Sequence, residues 1–196
     1  FGRSDLATNL IFAVGFALLF FYLNANYTEQ VMSYFGISLN IINLAFVFYI
    51  GFSSALSIHL SKGMNYNHAL FIPVLNRFIF TFVIKSLMIS LLFSPIFIGL
   101  YFGEFSYFYL LVVCLSLFIA AFDGLSVAFI ARLRVMGYVK YPPLFRLLLI
   151  FIGMPLAIYL LPMLGVVGIL IAFASINFII AMSLFLINRR IYHLKS

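Results

Sequence analysis

The chain is poor in charge, and above all in acid. Its 196 residues hold only 4 Asp and Glu against 11 Lys and Arg, and charged residues make up 8% of the whole. Soluble domains carry about a quarter charged residues, so an ordinary water-soluble fold is excluded at the outset. Tryptophan is absent, and Cys114 is the single cysteine, so no intrachain disulfide can form. Metal chemistry has little to work with, because His59, His68 and His193 are not grouped with carboxylates or thiol at a ligand spacing. What is abundant is apolar bulk: 66% of the sequence, including 26 Phe and 12 Tyr.

That bulk falls in six runs, at about 6–23, 36–60, 74–101, 106–131, 145–162 and 165–188. A helix needs about 20 apolar residues to cross a bilayer, and each run is near or above that length. In lipid only helices and closed barrels satisfy their own backbone. These runs are too long and too evenly apolar for the alternating strands of a barrel. The pattern predicts an all-α membrane protein with six transmembrane helices forming one lobe over 1–196, with no separate soluble domain. The breakers expected of short loops lie between the runs: Asn24 and Asn26, Gly63 with Asn65 and Asn67, Gly103, and Gly137 with Pro142 and Pro143.

The charges are one-sided. Arg3, Lys62, Arg77, Arg132, Arg134, Lys140, Arg146, Arg189, Arg190 and Lys195 all fall at alternate ends of the runs, while the opposite loops hold Glu29 and Glu104. The positive-inside rule then predicts a multi-pass protein of the cell (inner) membrane with both termini cytoplasmic. An even number of spans agrees with that. The same rule accounts for the net charge of +7 without a nucleic-acid partner. With no Trp, Tyr22, Tyr27, Tyr101, Tyr107, Tyr109, Tyr138 and Tyr141 are left to form the interfacial belts. The opening Phe1-Gly2-Arg3-Ser4-Asp5 has no Met and no signal-peptide pattern, from which we expect a piece of a longer protein.

Asp123 stands out as the acid inside a long apolar run. A carboxylate at membrane depth is costly and is kept by default to bind or move something. The eleventh base, Lys85, lies inside the third run at a similar depth, so a Lys85–Asp123 pair is geometrically possible. Such a pair could instead do no more than lock two helices together. Asn40 and Asn43 lie three apart and so near one helical face; Asn9 and Asn177 are further amides within apolar runs. Each can serve a pathway or glue helices by hydrogen bonds. The small residues Gly51, Ser53, Ser54, Ala55 and Ser57 predict a close helix approach. Pro95 and Pro155 predict kinked or loosened helices.

An enzyme is not expected. Asp123-Gly124 and Ala131-Arg132 have the residue types of the membrane alcohol phosphatidyltransferase motif, but six residues intervene where that motif has two. The further Asp pair that completes its metal site is missing. Catalysis by hydrolysis or metal-assisted transfer needs at least two convergent groups, and the sequence does not offer them.

The run from Phe35 to Gly63, with Gly51-Phe-Ser-Ser-Ala55-Leu-Ser57 leading to Lys62-Gly63, resembles the second helix of a lobe of the MATE (multidrug and toxic-compound extrusion) transporters. Phe122-Asp123 through Arg132-Leu-Arg134-Val-Met-Gly137, and Gly165-Val-Val-Gly168, resemble the rest of that lobe, most closely the C-terminal lobe of a NorM-type member. The resemblance implies half of a twelve-helix transporter, completed by a second six-helix lobe or a second copy. It implies a cation-coupled antiporter, driven by Na⁺ or H⁺, that exports small organic cations and drugs by alternating access. In that branch an Asp of the fourth helix belongs to the cation site, the position held here by Asp123. Where the branch carries a Glu in the first helix, this chain has Ala13. Asp123, Lys85, Asn40, Asn43 and Asn9 are the candidate cation- and substrate-binding residues, with membrane lipid as surroundings and no cofactor beyond the coupling ion. The alternatives are a lipid-linked saccharide flippase of the same superfamily and a non-transporting structural subunit.

Overall fold

The computed structural model describes residues 2–62, 68–135, 145 and 147–195. Among them the chain is helical, without strand: α1 (Gly2–Asn26), α2 (Glu29–Lys62), α3 (His68–Leu92), α4 (Ser94–Phe102), α5 (Tyr107–Val135), a π-helical turn (Leu149–Gly153), α6 (Met154–Leu164) and α7 (Val166–Lys195). Three helical stretches are long and apolar enough to cross a membrane: Glu29–Leu56, Tyr107–Arg134 and Val166–Arg190. The third apolar run is a bent pair, Asn76–Leu92 and Ser94–Phe102, which counts as a fourth if taken as one span. The first and fifth runs form shorter apolar helices, Ala13–Asn26 and Leu149–Leu164.

Both prolines act where the sequence placed them. A proline ring crowds the carbonyl four residues back and supplies no N–H. Pro95 accordingly sits in the first turn of α4, behind a break at Phe93 (φ −86°, ψ 1°), and the helix axis bends by 51° there. Pro155 follows the π turn, in which the Met154 N–H reaches back five residues to the Leu149 carbonyl. Widening the helix by one residue takes up the mismatch left by the missing donor. Wide turns of this kind are frequent at functional sites.

Helix α5 is the hub. It packs along α2 and α7 over much of its length and also meets α3 and α4, while α6 folds back on α7. Its inward face is made narrow by Ala120, Ala121 and Ala128, all buried, and is filled between them by Val112, Leu125, Phe129 and Leu133. In a bilayer, lipid tails are as apolar as leucine, so such helices associate by close van der Waals packing and hydrogen bonds. The α6–α7 hairpin shows how close that packing becomes. Gly165 takes a positive φ of 59° to reverse the chain, and a Cβ on Gly168 would lie 2.6 Å from the Leu160 carbonyl oxygen. The Gly165-x-x-Gly168 pattern is thus one turn and one backbone contact.

The small-residue stretch of α2 is divided. Gly51, Ser54 and Ala55 are exposed, with nothing within 4 Å of a Cβ built on Gly51, whereas Ser53 is buried and the Ser57 side chain is outside the described residues. The close approach of α2 to α5 falls instead at Gly124, whose missing side chain is replaced by the Tyr49 ring. A wide aromatic on α2 fits a glycine on α5, which composition along α2 alone does not reveal.

Candidate functional site

The neighbour of that contact is Asp123. It lies on α5 facing a cavity of about 300 Å³ enclosed by α1, α2, α5, the segment around the π turn, and α7. The polar side chains lining it are Asp123 and Ser126 from α5, Asn43 from α2 and Asn177 from α7. The rest of the wall is apolar, with Phe16, Phe46, Phe145 and Phe173 among the larger contributors. Phe16 and Phe173 stack with ring centroids 5.6 Å apart, which ties α1 to α7 across one side of the cavity.

The hydrogen bonds decide what the lining offers. Ser126 donates to the Phe122 carbonyl at 2.9 Å, and the Asn177 amide nitrogen donates to the Phe173 carbonyl at 3.0 Å. Ser and Asn inside apolar helices commonly satisfy a donor by bonding one turn back. Ser126 then has hydroxyl lone pairs left, while Asn177 keeps Oδ1 and one amide hydrogen. The one charged group among the described lining residues is the Asp123 carboxylate, and no base is among them. Such a wall favours a positive group over an anion. Among the described residues no three of His, Cys, Asp and Glu gather into a metal-binding group.

The residues singled out by sequence are sorted by this cavity. Asp123 and Asn43 line it. Asn40, one turn earlier on α2, is exposed and is not among the lining residues, since three residues along a helix leave a rotation of about 60° between side chains. Lys85 is exposed on α3 and is not among the lining residues either. Asn9 lies on α1, with its side chain outside the described residues. Lys140, Arg146, Tyr138 and Tyr141 are outside them as well. Asn177 and Ser126 are the additions; Asn177 carried the same sequence signal as Asn43, an amide within an apolar run.

A second polar group went unseen. Arg132 reads in sequence as a base flanking the fourth run, yet it is only 2% exposed. Its Nη1 donates to Asn76 Oδ1 on α3 at 2.6 Å, while Nη2 is buried without a hydrogen-bond partner. One turn away, Phe80, Phe129 and Phe185 form a mutual cluster with centroids 5.1–5.9 Å apart. Asn76, Arg132 and Asn188 occupy the next turn beyond those three rings on α3, α5 and α7. Asn188 is wholly buried, its amide nitrogen bonded to the Leu184 carbonyl at 2.8 Å and its Oδ1 without a partner. On these three helices a polar level thus adjoins an aromatic one.

Comparison of the chain with protein-family models, with curated proteins and with solved structures finds no match.

Proposed function

We propose that this chain is one six-helix lobe of a cation-coupled exporter, with Asp123 as the group that holds either the coupling ion or an organic cation. The single observation that carries the reading is the cavity that joins Asp123 to Asn43, Ser126 and Asn177 within aromatic and aliphatic walls. A half-buried carboxylate in such a wall gains from a cation and disfavours an anion. Charge competition at one carboxylate suffices for antiport, because Na⁺ or H⁺ and an organic cation cannot both be held favourably. At about 300 Å³ the cavity is at the small end of ligand pockets. That suits half of a binding chamber, completed by a second lobe or a second copy.

In this reading the apolar runs are six spans, the Arg132 end faces the cytoplasm, and the Glu104 end faces out. The two bundles rock about the cavity, with the bend before Pro95 and the π turn before Pro155 as places where a helix can yield. A flippase of lipid-linked saccharides would need bases to hold a pyrophosphate. The described cavity lining contains none, and Lys85 is not part of it, which favours the organic cation. The test is efflux of a fluorescent organic cation from proteoliposomes, driven in turn by Na⁺ and H⁺ gradients, for wild type and Asp123→Asn. The reading expects gradient-driven efflux that the variant loses while keeping its thermal stability. Equal efflux from both proteins would make Asp123 structural.

A further inference from the structure

Lys85 is exposed on α3, and two separate sets of contacts fix its depth. Asn76 of α3 accepts from Arg132 of α5, and one turn on Phe80 meets Phe129, so these two helices run antiparallel. Nine residues along α3 from Asn76 stands Lys85, and nine residues back along α5 from Arg132 stands Asp123. On α2, Phe52 stacks on Phe82 with centroids 3.9 Å apart, while Tyr34 meets Phe102, so α2 is antiparallel to α3 as well. Tyr49, three residues before Phe52, is thereby level with Lys85, three residues after Phe82. The Tyr49 ring packs on Gly124, the neighbour of Asp123. Both registers place Lys85 at the level of Asp123.

Nine residues of α-helix rise about 13.5 Å. The arginines gather at the far end of that distance: Arg77, Arg134, Arg189 and Arg190 each lie within two residues of Asn76, Arg132 or Asn188. In a bilayer that level belongs with the headgroups, and the four-carbon stem of a lysine reaches only about half of the way to it. The face around Lys85 is otherwise apolar, with Phe78, Ile84, Met88 and Ile89 all more than half exposed. An ammonium among lipid tails is costly and is usually kept paired. There is no Asp or Glu between Gln30 and Gly103, so neither α2 nor α3 supplies a counter-charge at this depth. Asp123 turns to the cavity, which no described residue of α3 lines.

The adjoining face of α2 suits a close neighbour. Phe48, Gly51, Phe52 and Ala55 fall on one stripe of that helix, and Phe48, Gly51 and Ala55 are exposed. A Cβ built on Gly51 meets nothing within 4 Å. Small residues at this spacing let another helix approach closely in lipid. The Phe52–Phe82 stack joins this stripe to the Lys85 side of α3.

We propose that the α2–α3 face around Lys85 is the docking site of a further transmembrane helix, from outside this bundle, that carries an Asp or Glu at the depth of Lys85. Charge selects the partner: the ammonium matches a carboxylate at that level and opposes a helix with a base there. Gly51 and Ala55 set how near the partner comes. The inference rests on the chain lying in a membrane and not on the transport reading, so it and the efflux experiment fail independently.

The test is photocrosslinking of the full chain in its native membranes, with p-benzoylphenylalanine in place of Phe48 or Met88 and the products identified by mass spectrometry. The expected product is a transmembrane peptide that holds an Asp or Glu. Its yield should fall about tenfold in Lys85→Met, and return when Lys85→Glu is combined with Lys in place of the partner's acid. Lys85 is exposed, so these variants leave the packing of the bundle intact. Products with lipid alone, a peptide without an acid, or a yield unchanged by Lys85→Met would each overturn the docking site.

Discussion

At the scale of single residues, two contacts set what the bundle tolerates. Gly124 sits beside the proposed cation-holding residue, and a methyl group there would overlap the Tyr49 ring. Overpacking of this kind costs about 1–3 kcal/mol, so Gly124→Ala should lower the melting temperature in detergent. A second change, Tyr49→Ala, should restore part of the loss, which a thermal-shift double-mutant cycle would measure. Arg132 makes a sharper case. A hydrogen bond to a charged group contributes about 1.5–3 kcal/mol, and removing one partner leaves the buried guanidinium less satisfied, whereas replacing both with apolar residues can be nearly neutral. Asn76→Leu should therefore destabilise strongly, and Asn76→Leu with Arg132→Met should recover most of the stability in chemical unfolding. Asp123 stood out in the sequence as an acid in an apolar run, and it lines the cavity. Arg132 did not, because a base at the end of such a run reads as an interfacial flank. Only the packing of α3 and α7 against α5 buries it.

At the scale of elements, the sequence foretold where helices would yield but not how. Pro95 and Pro155 were both marked, and the structure answers with a 51° break in one case and a π turn in the other. Both sites are partly buried: Ser94 and Ile98 are buried after the exposed Phe93, and Leu149 and Gly153 are buried beside the exposed Phe151 and Ile152. Pro155→Ala restores the donor whose absence the wide turn absorbs. We expect it to convert the turn towards regular α-helix, slow amide exchange around 149–155 and reduce efflux while raising stability. Faster exchange at those amides would contradict the hinge role. The six apolar runs were legible from length and composition, yet helices of this kind are not all equal. Among the described residues three stretches qualify alone as crossings, and the close approach of α2 to α5 at Gly124 needed the Tyr49 ring, which small-residue counting along α2 does not find.

At the scale of the whole molecule, the polarity is axial. Buried Arg132 lies towards one end, the cavity with Asp123 occupies the middle, and an aromatic concavity beside Tyr34 and Tyr109 lies towards the other. The cavity could not be read from sequence, because it depends on which face of α2, α5 and α7 turns inward, and period alone is blind to that in helices apolar all round. That is why Asn43 and Asn40 looked alike in the sequence. The account stands or falls on whether Asp123 meets a cation. The most direct measurement is carbodiimide labelling of the protein in membranes, with the modified residue located by mass spectrometry, across a titration of an organic cation. The account predicts labelling at Asp123 that a saturating organic cation suppresses about tenfold, as near-full occupancy requires. Labelling of Asp123 at the same rate with and without the cation would contradict it.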